Sequence, residues 1–146
     1  MATSNAATNY LERRILDFIF KGNSLSFASP GDNIYVGLAT AVTAAETGGV
    51  TEADFPGYGR KQVTAANWTT VGDDTTDTQT AKNTNNIEFD PHTGGGADAD
   101  VISHVFIADD STGGNILFVG VLDNPKTIAE GDIFRINAEN LVIELK

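Results

Sequence analysis

Between residues 10 and 21 the apolar side chains recur at helical spacing. Leu11, Ile15, Phe18 and Ile19 share one face, Leu16 and Phe20 widen it, and Arg13, Arg14, Asp17 and Lys21 fall on the other side. Asn9, with Glu12 three residues on, has the form of a capping box, and Gly22-Asn23 supplies a stop. The apolar arc is broader than one covering surface requires. Residues 1–8 are small and polar and read as a flexible arm.

After the helix the period changes to two. In residues 34–40, Ile34, Val36 and Leu38 line one face while Tyr35, Gly37 and Ala39 line the other. Strands are also predicted at 60–64 and 65–71 around a turn at Trp68, weakly at 78–81, and at 87–89, ended by Asp90-Pro91. The segments 101–108 and 115–122 flank Asp109-Asp-Ser-Thr-Gly-Gly114, a hairpin connection made of turn residues. A last hairpin pair is expected from 133–136 and 141–145 through Asn137-Ala-Glu-Asn140.

The hairpin strands are apolar on both faces: Ile116, Phe118 and Leu122 on one, Leu117, Val119 and Val121 on the other. An antiparallel strand with one wet face alternates more cleanly. Two dry faces imply a central place in a layered fold or a second partner. They make Phe106, Leu117, Val119 and Val121 candidate interface residues, beside Leu11, Ile15, Phe18, Arg13 and Arg14 of the helix. The fold class is mainly β: an antiparallel β-sandwich of jelly-roll type with one N-terminal α-helix, 10–21. A single domain, 9–146, follows the arm at 1–8.

The chain has 146 residues, enough for one domain with its own core. It has no cysteine, so packing rather than disulfides must hold it. Nine basic residues against 20 acidic ones give a formal charge of −11, which repels nucleic acid and anionic lipid. No apolar run approaches the roughly 18 residues that span a bilayer. Met1-Ala-Thr-Ser-Asn5 lacks the basic and apolar regions of a secretory signal, so folding in the cytoplasm and release by lysis are expected.

Chemistry finds little footing. Ser103, His104 and Asp109 have the residue types of a hydrolytic triad, but neighbours on a strand point to opposite faces, so Ser103 and His104 are not expected to meet. His92 reads as an exposed loop residue. The carboxylates Asp73, Asp74, Asp77, Glu88, Asp98, Asp100, Asp109 and Asp110 lie mostly in Gly/Thr/Asn loops, where acids form turns, rather than as a glycosidase pair. Gly94-Gly-Gly-Ala-Asp-Ala-Asp100 could present oxygens to calcium, but it occurs once. Gly57-Tyr-Gly-Arg60 lacks the ending of a phosphate loop and is expected to be a tight turn, with Tyr58 over the core and Arg60 paired to an acid. No catalytic residue, cofactor or metal is assigned, and the chain is read as a non-enzyme.

The order of parts in residues 51–70, TEADFPGYGRKQVTAANWTT, after the apolar strand Ile34-Tyr-Val-Gly-Leu-Ala-Thr40, resembles a family of small bacteriophage virion proteins. They are described as tail-fibre-like or as capsid decoration (cement) proteins. The amphipathic segment ending in Ile19-Phe20, Ile102-Ser-His-Val-Phe106 and Ile116-Leu-Phe-Val-Gly120 fit the same layout. The resemblance implies a virion structural protein, foremost a capsid decoration protein that binds the head exterior and stabilises it. Its partners would be itself, as a homotrimer at local three-fold positions, and the major capsid protein, with no nucleic acid and no membrane. The alternative is a tail or fibre component contacting a host receptor or glycan. Arg13, Arg14 and Lys21 could meet an acidic neighbour.

Overall fold

The computed structural model describes residues 5–25 and 34–145. In chain order its elements are β1 (Ala6–Ala7), α1 (Asn9–Lys21), β2 (Tyr35–Ala44), β3 (Gly49–Glu52), β4 (Lys61–Gln62), β5 (Trp68–Val71), β6 (Gln79–Asn83), β7 (Ile87–Glu88), β8 (Asp100–Ala108), β9 (Ile116–Ile128), β10 (Arg135–Ile136) and β11 (Val142–Leu145). Short 3₁₀ turns occupy Ala45–Thr47 and Ala65–Asn67. All the pairings are antiparallel. The largest sheet runs β1-β9-β8-β2-β3, with β4 pairing to the start of β2; β11-β6-β5 and β10-β7 form two smaller sheets. The chain is thus mainly β with one N-terminal helix, an arrangement compatible with a sandwich.

The two apolar faces of the central hairpin are covered by the chain itself over most of their length, with Val101 and Val121 left exposed. On one face Val36, Leu38, Ile102 and Val105 join Phe55, Val63, Phe89, Phe134 and Leu141 in the main core. On the other, Ala39, Phe106, Ala108 and Val119 pack with Ala45, beside Ala6 and Ile116. Each fully buried aliphatic or aromatic side chain contributes roughly 1.5–3 kcal/mol. An aromatic series threads the main core: His92 stacks on Phe55, Phe55 meets Tyr58 edge-on, Tyr58 stacks on Phe89, and Phe89 meets Phe134 edge-on.

Several expectations change. The arm is not free over its described part: Ala6 and Ala7 pair with Val119 and Phe118, and Thr8 is buried. Residues 1–4 lie outside the described residues. Thr8 rather than Asn9 caps α1, its Oγ1 accepting from the Leu11 N–H at 3.4 Å and donating to the Ile116 carbonyl at 2.6 Å. Gly22 closes the helix in the left-handed conformation at φ 70°, as the stop signal implies. The final hairpin does not form, because β10 pairs with β7 and β11 with β6. Asn83 directs that exchange. Its buried amide donates to the Asn85 and Asn137 carbonyls, and its Oδ1 accepts from Leu141 N–H, so the loop before β11 is held against β6. Finally, β9 runs past Leu122 to Ile128, with 122–125 bulging opposite Ser103 before the ladder resumes at Lys126–Ile102. Pro125, which has no N–H to donate, falls in that bulge.

Candidate interaction surface

The Gly57-Tyr-Gly-Arg60 turn folds back on β2 and β3. Gly57 adopts φ 94°, with its α-carbon against the Pro91 carbonyl, where a side chain would not fit. Tyr58 Oη donates to Glu52 Oε1 at 2.7 Å and accepts from Leu38 N–H at 3.0 Å. Arg60 is buried. Its Nε and Nη2 donate to the two Glu52 oxygens at 2.8 and 2.9 Å, and its Nη1 donates to the Asp110 and Gly113 carbonyls at 2.8 and 2.9 Å. The guanidinium lies 5.0 Å from the centre of the Phe106 ring, whose other side rests on Gly37. One arginine therefore ties β3 to the hairpin loop at 109–114. Burial pushes the Glu52 carboxyl up, but the Arg60 and Tyr58 hydrogen bonds outweigh it and hold the group below its ordinary 4.5. Burial, with Glu52 adding to it, holds the Tyr58 hydroxyl well above its usual range. This cluster is satisfied internally; it is scaffold.

The residues of candidate chemistry are likewise occupied by structure. Contrary to the alternation rule, Ser103 Oγ lies 2.7 Å from His104 Nδ1. The β9 bulge interrupts the ladder there, so strict up–down alternation no longer applies. Ser103 Oγ also donates to the Thr40 carbonyl at 3.1 Å, and burial lowers the His104 pKa. Asp109 sits at the far end of β8, accepting from Asn115 N–H and Nδ2 at 2.7 and 2.9 Å. It closes the hairpin and completes no triad. His92 is 1% exposed, not a loop residue in water; its Nδ1 accepts from Gly94 N–H at 2.9 Å. Asp100 accepts from Asp54 N–H at 3.1 Å. Among the described residues no three His, Cys, Asp or Glu side chains converge as a metal site.

What remains open is α1. The helix lies against β9 and the Ala45–Thr47 turn, and it turns inward the side that carries Leu11, Arg14 and Asp17. Arg13, Arg14 and Lys21 all approach the Asp17 carboxylate, at 3.3, 4.0 and 3.6 Å, and Arg14 also covers the Tyr10 ring at 5.1 Å. Ile15, Leu16, Phe18, Ile19 and Phe20 point to water, Ile19 with 60% and Phe20 with 79% of its surface exposed. An amphipathic helix normally buries its apolar stripe; this one shows it.

The candidate interface residues divide accordingly. Leu11, Phe106, Leu117 and Val119 are buried within the chain and offer no surface to a partner, Phe106 and Val119 packing with Ala39, Ala45 and Ala108. Ile15, Phe18 and Val121 are exposed; Arg13 is exposed and Arg14 half-buried, both drawn toward Asp17. Leu16, Ile19 and Phe20 complete the stripe. The periodicity contained them, but not which way the helix faces.

Residues 6–144 match the family model described as podophage GP4 fiber I protein gp80. The chain belongs to that family. It is a phage virion structural protein, of a family described as a fibre protein. Among curated proteins no sequence matches. No helix among the described residues is long and apolar enough to cross a membrane.

Proposed function

We propose that this member of the fiber I gp80 family is a fibre-type component of the phage tail. The β body is its rigid part, and the outward stripe of α1 is the surface through which it assembles. The observation that carries this reading is an apolar helical face left in water, with Ile15, Leu16, Phe18, Ile19 and Phe20 all exposed on one short segment. Buried surface of this kind drives association, and the family's description places its namesake in a fibre. The acidic surface, −11 over the chain, keeps the exposed body from adhering to like-charged neighbours.

A capsid decoration protein would also need a rigid body and an assembly face, and its partner would be the major capsid protein. Copy number separates the two readings. Quantitative mass spectrometry of purified virions, with antibody labelling by electron microscopy, should find a handful of copies at the tail. Hundreds of copies distributed over the head would replace the fibre reading with decoration.

A further inference from the structure

We propose that the outward stripe of α1 packs against the same stripe of a second copy of this chain, so that helix-to-helix contact is the interface between subunits. The inference rests on the fibre reading for its setting, but not for its chemistry. Ile15–Ile19 and Leu16–Phe20 are two parallel ridges at i,i+4 spacing with a groove between them. A ridge of this shape fits the groove of an identical helix, which is the self-complementarity that a contact between like subunits requires.

Charge points to the same occupant. Arg14 and Lys21 approach Asp17 from the side turned away from the stripe, while Arg13, its side chain 69% exposed, reaches Asp17 from the stripe's border beside Leu16. Glu12 and Arg13 border its N-terminal end, one charge of each sign. The segment 9–21 carries three cations (Arg13, Arg14, Lys21) and two carboxylates (Glu12, Asp17), a net +1 within a chain of −11. It is where two copies can meet without the repulsion that the rest of their surface imposes. The five exposed side chains leave on the order of 500 Å² of apolar surface in water, the upper range for one patch on a monomer. A standard interface uses about 800 Å² per partner, so the stripe supplies the apolar centre and its polar flanks the rim.

Light scattering of the full chain at tens of micromolar measures the association. The wild type should show a mass that is a whole multiple, two or more, of 15.4 kDa. Ile19→Lys and Phe20→Lys together, both good helix formers near a C-terminus that favours cations, should return the mass to 15.4 kDa with an unchanged circular dichroism spectrum. If that pair misfolds, Leu16→Gln with Phe20→Gln makes the same test. Leu145→Lys, on the exposed edge of β11, should leave the oligomer intact. A monomeric wild type would overturn the proposal and assign the stripe to a different virion protein. So would an oligomer that survives the helix changes, or one that dissolves with Leu145→Lys. None of these results bears on where the protein sits in the particle.

Discussion

Phe106 and Phe20 are the same residue type in opposite circumstances. The Phe106 ring lies between the Gly37 backbone and the Arg60 guanidinium, 1% exposed. Phe20 stands at the end of α1 with 79% of its surface in water and Ile19 beside it in a similar state. In the first region the fold has spent its apolar surface on its own stability. In the second it has packed Leu11, Arg14 and Asp17 inward and left most of the helix's apolar side unspent. A protein that needed only to fold would gain by turning α1 over, since burying those side chains would stabilise it by roughly 1.5–3 kcal/mol each. That the helix faces the other way argues for assembly.

Mutations should separate the two regions by the size of their effect on the monomer. Arg60→Ala should be the most damaging, because it leaves Glu52 with Tyr58 as its one remaining side-chain donor, leaves the Asp110 and Gly113 carbonyls without theirs, and uncovers Phe106. Urea titration should show a loss of about 2–4 kcal/mol. Gly37→Ala drives a methyl group into the Phe106 ring and should cost about 1–3 kcal/mol by the same measurement. No change in stability would mean that the Phe106 site has slack.

Acid should act on the scaffold region through Glu52. Its folded carboxyl is held below the ordinary 4.5, so the unfolded chain binds the proton first. The stabilisation is complete above about pH 4.5 and is lost as the pH falls through the folded value. Tyr58 has the opposite sign: its raised folded value gives stability present below its ordinary 10.0 and lost as the pH climbs beyond it. Thermal melts of Glu52→Gln should have a flatter acid limb than the wild type; parallel acid limbs would remove Glu52 from the account. The smallest effect belongs to the stripe. Leu16→Gln or Phe20→Gln should change the stability of the isolated monomer by no more than about 0.5 kcal/mol, and a larger loss would show the stripe to be part of the core.

Much of the first region was legible in the sequence. Gly57-Tyr-Gly-Arg60 announced a turn with Tyr58 on the core and Arg60 on an acid, and both hold, although Glu52 was not nameable from spacing. The strands 101–108 and 115–122 declared themselves by two-sided apolarity, most of which the chain itself covers, with Val101 and Val121 left exposed. Pairing partners were less visible. β10 and β11 look like a hairpin because they are close in sequence, but the Asn83 amide, more than 50 residues away, holds the connecting loop and sends β11 to β6. The Ser103–His104 contact was hidden because alternation assumes an unbroken ladder. Thr8 reads in the sequence as part of an arm, and its place as cap goes with the hydrogen bond to the Ile116 carbonyl of a distant strand. The orientation of α1 was the largest gap: a helical wheel fixes which residues lie together and says nothing about which side the protein turns inward.

The most direct measurement uses the absence of cysteine from the chain. A single Ile19→Cys variant, oxidised mildly as the purified full chain, places one thiol in the stripe of each copy. If two stripes face one another, the thiols come within bridging distance, and a covalent species of twice 15.4 kDa should accumulate rapidly. Leu145→Cys under the same conditions should remain largely uncrosslinked. Equal, slow crosslinking of the two variants, or faster crosslinking through Leu145→Cys, would contradict a subunit interface built on α1.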